Sequence, residues 1–227
     1  MPTLDSYGFP AEITGEILRE WTGGERFLFL FGEHHDEPQH PENRPGIRRS
    51  ILNACSLFDC GIVGCVGVEE SLFELQDFTP DAVQQLSAQI FGAHGDDDGV
   101  IAHFLQLSCP CHITNSVNCT RFRLGKTLRF LRPDFPIQWV ENEEIRARTE
   151  GIAWQYALQT RDQEFAADPI NLERDRVMIE TMDACWQAIG TAKAAILNVG
   201  LDHATRIAAQ LPGRKISYVL IEQQPEP

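Results

Sequence analysis

Long apolar runs are absent from this chain. The longest, residues 27–31 and 194–197, are far shorter than the roughly 20 residues that a membrane-spanning helix needs. Residues 1–8 contain neither a basic segment nor an apolar one, so we expect no secretory signal peptide. We therefore expect a cytoplasmic protein that has no membrane partner.

Positive charge is also scarce. Lys and Arg number 19 against 33 Asp and Glu, and the formal net charge is −14. Because such a surface repels phosphate backbones and anionic membranes, we do not expect nucleic acid as a partner. The 227 residues are 43% hydrophobic and 23% charged, which excludes collagen, coiled coil and general disorder. Without repeats or low-complexity linkers, the sequence predicts one domain over residues 1–227, with a flexible tail at 223–227, and no particular oligomeric state.

The cysteines do not form the patterns of a disulfide framework or of a zinc site. They number seven, an odd count, and no two of them are spaced as CxxC. We therefore expect reduced thiols. Cys109, Cys111 and His112 form the one local cluster, and without a partner cluster elsewhere it favours buried thiols over zinc.

The chain alternates between strand-like and helix-like patterns. Several of the strand-like runs are continuously apolar, which is typical of parallel strands covered on both faces. Helices are predicted to begin at Pro80, after Thr79, and at Pro169, after Asp168. A third is predicted over residues 100–107, and the aspartate-rich loop 95–99 before it is expected to cap that helix rather than to bind a cation. The predicted fold is α/β: a mostly parallel sheet of about six strands with helices on both faces. The six predicted strands are residues 27–31, 62–68, 112–117, 137–140, 194–199 and 216–221.

Acidic residues and histidines follow several of these strands. Ligands of open parallel sheets bind beyond the carboxyl ends of the strands, so these side chains are expected to converge on one edge. The residues that we select after the first, second and fifth strands are Glu33, His35, Glu69, Glu70 and His203.

Each of these features also has a structural explanation. His203 is equally well placed to cap the helix that follows it. At least one of Glu69 and Glu70 is expected to be a solvated loop charge, and Glu143 and Glu144 are acids in the first turn of a helix, where the helix dipole favours them. The cluster after the first strand is the hardest to explain in this way, because three of the seven histidines lie within residues 34–40.

Arg174 lies on the apolar stripe of the helix that begins at Pro169. It shares that face with Met178, Met182 and Cys185. A buried arginine needs an acidic partner or an anionic ligand. Two interpretations remain open: its head extends past the helix end into water, or it reaches Glu33 and Glu69, where it fixes a carboxylate or holds a substrate oxyanion.

Four segments resemble motifs of one superfamily. Residues 32–40 (GEHHDEPQH) resemble the Gly-Glu-x-His-Asp-x-Pro-x-His opening of ChaN-like proteins, which belong with the erythromycin esterases and the TraB/TIKI proteins. Residues 68–70 match its acidic position after the second strand. Residues 174–178 (RDRVM) are similar to its Arg-Asp-x-x-Met helix, and residues 200–203 (GLDH) to its closing Gly-x-x-His. The resemblance spans about residues 27–211, but residues 71–135 have no counterpart in it.

The resemblance implies ester hydrolysis, metal-dependent peptide cleavage or tetrapyrrole binding. The residues themselves are typical of a hydrolytic centre, in which His35 or His203, oriented by Glu33 or Glu69, takes a proton from water. Arg174 and the second histidine would then stabilise the developing negative charge. We expect a small ester, amide or peptide as substrate.

Two alternatives remain open on sequence grounds. Glu33, His35 and His203, with Glu69, are also a donor set for one Zn, Mn, Fe or Co ion. The other alternative is a protein that binds haem or another small ligand without turnover, although the three tyrosines at positions 7, 156 and 218 lie outside the motifs and offer no obvious axial ligand.

Overall fold

A computed structural model describes residues 13, 15–33, 44–69, 80–107, 124–189 and 194–223. The strands are β1 (Glu16–Trp21), β2 (Arg26–Glu33), β3 (Val63–Val68), β4 (Ile137–Trp139), β5 (Ala194–Gly200) and β6 (Ile216–Glu222). The helices are α1 (Arg44–Asp59), α2 (Pro80–His94), α3 (Asp97–Leu107), α4 (Leu124–Leu131), α5 (Glu143–Leu158), α6 (Asp162–Phe165), α7 (Pro169–Ile189) and α8 (Leu201–Gln210). None of the helices among these residues is both long and apolar enough to cross a membrane.

The six strands form one sheet in the order β1-β6-β2-β5-β3-β4. Every neighbouring pair is parallel except β1 and β6, which are antiparallel. Buried helices cover both faces. The α/β prediction, with a mostly parallel sheet of about six strands, is therefore confirmed.

One strand of the sheet differs from those predicted. The edge strand β1 was not predicted, because its sequence EILREW carries three charged residues and its burial alternates irregularly. The predicted strand at residues 112–117 lies outside the described residues, as do Thr79 and the cluster of Cys109, Cys111 and His112. The other five predictions coincide with β2 to β6.

Side chains alternate between two apolar layers. Phe29 and Phe31 of β2 face the layer that contains α1, α3 and α4. Leu28 and Leu30 face the layer of α7 and α8, which also contains Met178. This alternation fixes the face on which each residue at a strand end projects.

The structure brings the sulfur atoms of Cys65 in β3 and Cys185 in α7 into contact, with the Cα atoms of the two residues 6.9 Å apart. The expectation of reduced thiols stays a prediction for this pair. The 120 residues between them hide the contact in the sequence, because it depends on α7 lying across β3. Cys55 and Cys60 are free.

The aspartate-rich loop caps a helix, as expected. Asp96 accepts a hydrogen bond of 2.8 Å from the backbone N–H of Gly99. Asp97 lies in the first turn of α3 and pairs with Arg132 at 2.9 Å. The helix therefore begins three residues before the predicted position.

Candidate active site at the carboxyl edge of the sheet

The ends of the parallel strands meet at one edge. Glu33, the last residue of β2, is paired in register with Gly200, the last residue of β5. The backbone N–H of Glu69, which follows β3, donates to the carbonyl of Asn198 in β5. Glu141 follows β4, the next strand across the sheet. The carboxyl ends of β2, β3, β4 and β5 therefore lie at the same edge of the sheet.

Glu69 is held on both of its carboxylate oxygens. Its Oε2 accepts a 3.0 Å bond from the backbone N–H of Gly200, where β5 gives way to α8. Its Oε1 accepts a 2.6 Å bond from Nη2 of Arg174 in α7. The side chain is 8% exposed. Glu69 is thus a fixed, buried carboxylate rather than a solvated loop charge.

Arg174 lies at the centre of the cluster. Its Nε donates to Glu141 Oε1 at 2.7 Å, its Nη2 donates to both Glu141 and Glu69, and its Nη1 lies 2.9 Å from Nε2 of His203. Burial alone would lower the pKa of the guanidinium, but the bonds to Glu141 and the charge of Glu69 outweigh it, and the pKa lies above its ordinary value. Arg174 therefore reaches an acidic cluster and does not extend past the helix end into water.

His203 is fixed by Asp175, the neighbour of Arg174 in α7. Its Nδ1 bonds to Oδ1 of Asp175, which is fully buried. Nη2 of Arg206 also lies 2.9 Å from Nδ1, but the contact with Asp175 is the shorter one. Because a carboxylate only accepts, we assign the ring proton to Nδ1, so that Nε2 is the acceptor that faces Arg174. The capping explanation of His203 is wrong: α8 begins after Gly200 without a side-chain cap, and His203 lies within its first turn.

A second guanidinium binds the Asp175 carboxylate that orients His203. Nε of Arg206, one turn after His203 in α8, donates to Oδ2 of Asp175 at 2.7 Å. With Arg174, this gives two guanidinium groups against three carboxylates. Those carboxylates belong to Glu69, Glu141 and Asp175. The acidic side chains of the cluster therefore outnumber its guanidinium groups by one.

Glu33 lies at the same edge but on the other face of the sheet. By the alternation of the pleat it shares the face of Phe29 and Phe31, towards α1, and it is 6% exposed. Gly32 occupies the opposite face, where a Cβ atom would lie 2.6 Å from Leu201 Cδ1. The glycine thus allows the close approach of α8 to the sheet rather than a tight turn.

The structure brings together three of the sequence-predicted site residues: Glu69, Arg174 and His203. Glu33 shares their edge but lies on the other face, so the expectation that Arg174 reaches Glu33 is wrong, and the carboxylates that it contacts are Glu69 and Glu141. His35 and Glu70 lie outside the described residues.

Sequence reasoning missed Glu141, Asp175 and Arg206. Glu141 follows β4 as Glu69 follows β3, so its position after a strand was the available signal. Asp175 lies beside Arg174 in the segment RDRVM, and Arg206 lies one turn after His203. Neither of these positions reveals its partner without the packing of α7 against α8.

The described donors do not fit a metal ion. Nε2 of His203 faces the Arg174 guanidinium at 2.9 Å, and the two oxygens of Glu69 already accept bonds. A divalent cation at Nε2 would be adjacent to a fixed positive charge. Within the described part of the chain, no group of three His, Cys, Asp or Glu side chains is arranged to hold a metal.

An axial ligand for haem is equally hard to find among the described residues. Both ring nitrogens of His203 are in hydrogen-bonding contact with charged side chains. The hydroxyl of Tyr156 lies 3.1 Å from Asp168, and Tyr218 is buried within the sheet. Tyr7 lies outside the described residues.

Comparisons with models of protein families, with curated proteins and with solved structures find no match for this chain.

Proposed function

We propose that the chain hydrolyses a small ester, amide or peptide substrate at the carboxyl edge of the sheet, with His203 as the general base. The observation that carries the proposal is the pair of Asp175 and His203. A buried carboxylate on Nδ1 fixes the ring orientation and leaves Nε2 as the proton acceptor, which is the arrangement a general base needs.

Arg174 supplies the positive charge for the oxyanion. Three of its five N–H groups bond to Glu69 and Glu141, and one points to His203. The second N–H on Nη1 has no partner among the described residues. A substrate carbonyl oxygen would bind this second N–H, and the base role requires the contact between Nη1 and Nε2 to open so that Nε2 accepts from water instead.

The proposed hydrolysis requires neither a metal nor a covalent enzyme intermediate. His203 Nε2 takes a proton from water, the water oxygen forms a bond to the carbonyl carbon, and the carbonyl electron pair moves to the oxygen facing Arg174. Collapse of this intermediate breaks the bond to the leaving alcohol or amine, which receives the proton from His203. No serine, threonine or cysteine among the described residues bonds to His203, which favours direct attack by water.

The test is turnover of activated esters, amides and short peptides by the wild type and by His203→Ala. We expect measurable turnover that falls at least about 10²-fold in the variant, with the far-ultraviolet circular dichroism unchanged. Asp175→Asn should lower kcat more than it raises KM, because Asp175 positions His203 rather than binding substrate. Asp183→Asn is the matched control, since Asp183 is also an α7 aspartate paired with an arginine, Arg26. Full activity in His203→Ala, or no turnover of any probe by the wild type, would contradict the proposal.

A further inference from the structure

The donors around Arg174 are the types that usually surround a metal ion. Glu69 offers Oε1 at 2.6 Å, Glu141 offers both carboxylate oxygens, and His203 offers Nε2 at 2.9 Å. Two carboxylates and one imidazole are a common ligand set for Zn²⁺ and related ions. Here they converge on one guanidinium.

We propose that the Arg174 guanidinium occupies the position of a metal ion in this centre. The wild-type cluster then binds no metal, and removal of the guanidinium creates a divalent-metal site formed by Glu69, Glu141 and His203. The inference rests on the described contacts and deepens the proposed function, because it makes the hydrolytic centre independent of metal.

The geometry and the charge support this assignment. The planar guanidinium of Arg174 directs its N–H groups at both carboxylates and at the histidine ring, so it satisfies all three side chains at once. Oε1 of Glu69 lies 3.9 Å from Nε2 of His203, a separation that two ligands of one zinc ion can also have, so the same donors can close on a metal when the guanidinium is absent. The side chains of Glu69 and Glu141 are 8% and 3% exposed, and two such buried carboxylates need a cation between them.

The experiment measures metal directly, by equilibrium dialysis against Zn²⁺ with elemental analysis and by the absorption spectrum of bound Co²⁺. We expect Arg174→Ala to bind about one ion more than the wild type, with the spectrum of a four-coordinate or five-coordinate Co²⁺ site. A second substitution, Glu141→Gln, should abolish that extra ion. Subtracting the metal content of the wild type from that of the variant removes the contribution of any ion bound elsewhere on the chain.

Three controls distinguish the loss of the Arg174 guanidinium from general destabilisation of the protein. Arg206→Ala removes the other guanidinium of the cluster, which bonds to Asp175 and faces Nδ1 of His203 rather than the proposed ligand atom Nε2, and should add no ion. Arg174→Met removes the charge but fills the space, and should bind metal more weakly than Arg174→Ala. Added methylguanidinium should compete with Zn²⁺ in Arg174→Ala, because it restores the original occupant.

The outcome is decided whether or not the alanine variant folds. If it does not fold, the wild type still provides a test: its metal content should be the same as that of Glu69→Gln and of Glu141→Gln. Wild-type metal that is lost in either glutamine variant would overturn the inference, as would a folded Arg174→Ala that binds no extra ion. Neither result depends on turnover, so failure here is distinguishable from failure of the proposed hydrolysis.

Discussion

Replacing Glu141 by glutamine tests how far the cluster depends on buried charge. Glu141 and Gln have nearly the same shape, so the change removes charge and leaves packing. In the structure the Glu141 side chain is 3% exposed and accepts bonds from Nε and Nη2 of Arg174, whose own side chain is 15% exposed. The variant therefore leaves Arg174 with Glu69 as its only carboxylate partner among the described residues.

The expected loss follows from the burial of the pair. Removing one partner of a buried ion pair costs about 3–5 kcal/mol in unfolding free energy, because the remaining charge is uncompensated. Glu69 still compensates part of the Arg174 charge, so we expect roughly 2–3 kcal/mol for Glu141→Gln. That is a large part of the roughly 5–15 kcal/mol typical of a folded domain.

The assay is urea unfolding at neutral pH, monitored by circular dichroism. Glu173→Gln is the matched control, because Glu173 pairs with Arg148 at 3.2 Å but the two side chains are 35% and 51% exposed. Such a surface pair contributes at most about 1 kcal/mol. If the two variants differ by less than about 0.5 kcal/mol, the reasoning from burial is refuted.

Other parts of the fold give further predictions. Gly67→Ala should lower the unfolding free energy by about 1–3 kcal/mol, because the added Cβ would lie 2.7 Å from Cγ1 of Val140. Gly151→Ala in α5 should raise the unfolding free energy by up to about 1 kcal/mol, because a Cβ there meets nothing within 4 Å. Urea unfolding measures both, and a stability gain in Gly67→Ala would contradict the packing argument. Burial raises the pKa of the Cys55 thiol from 9.0 to about 12, so we expect alkylation at pH 8 to modify the exposed Cys60 and to spare Cys55, as peptide mass spectrometry would show. The folded state favours the neutral Cys55 thiol, so the stability that this thiol contributes is complete below pH 9 and is lost as the pH rises to 12. Over this pH range the unfolding free energy of the wild type should fall relative to that of Cys55→Ala. Parallel curves of unfolding free energy against pH would refute the raised pKa of Cys55.

The sheet was largely predictable from sequence because its central strands are covered on both faces. Strands β2, β3, β5 and β6 consist mostly of buried residues, so each reads as a short apolar run between helical patterns. Strand β1 has water on much of its surface and mixes Glu and Arg with Ile and Leu, which removes that signal. The position of a half-exposed edge strand depends on its partner, β6, and not on its own pattern.

The candidate site was predictable only where a residue follows a strand or interrupts an apolar stripe. Glu69 and His203 were found in the first way and Arg174 in the second. Asp175 was missed because its partner lies in another helix, and only the packing of α7 against α8 brings the two together.

The face of Glu33 was missed for a different reason. The predicted strand ended at residue 31, whereas β2 continues to Glu33. That extension makes the pleat place Glu33 on the α1 face, opposite to the face of Arg174 and Glu69.

The most direct test of the account is the tautomer of His203, measured by ¹⁵N NMR on uniformly labelled wild type and assigned by comparison with His203→Ala. The account predicts a neutral ring with its proton on Nδ1, bonded to Asp175, and an unprotonated Nε2 that accepts from Arg174. A proton fixed on Nε2, with Nδ1 unprotonated, would mean that Asp175 does not orient the ring and would contradict the assignment of His203 as a base.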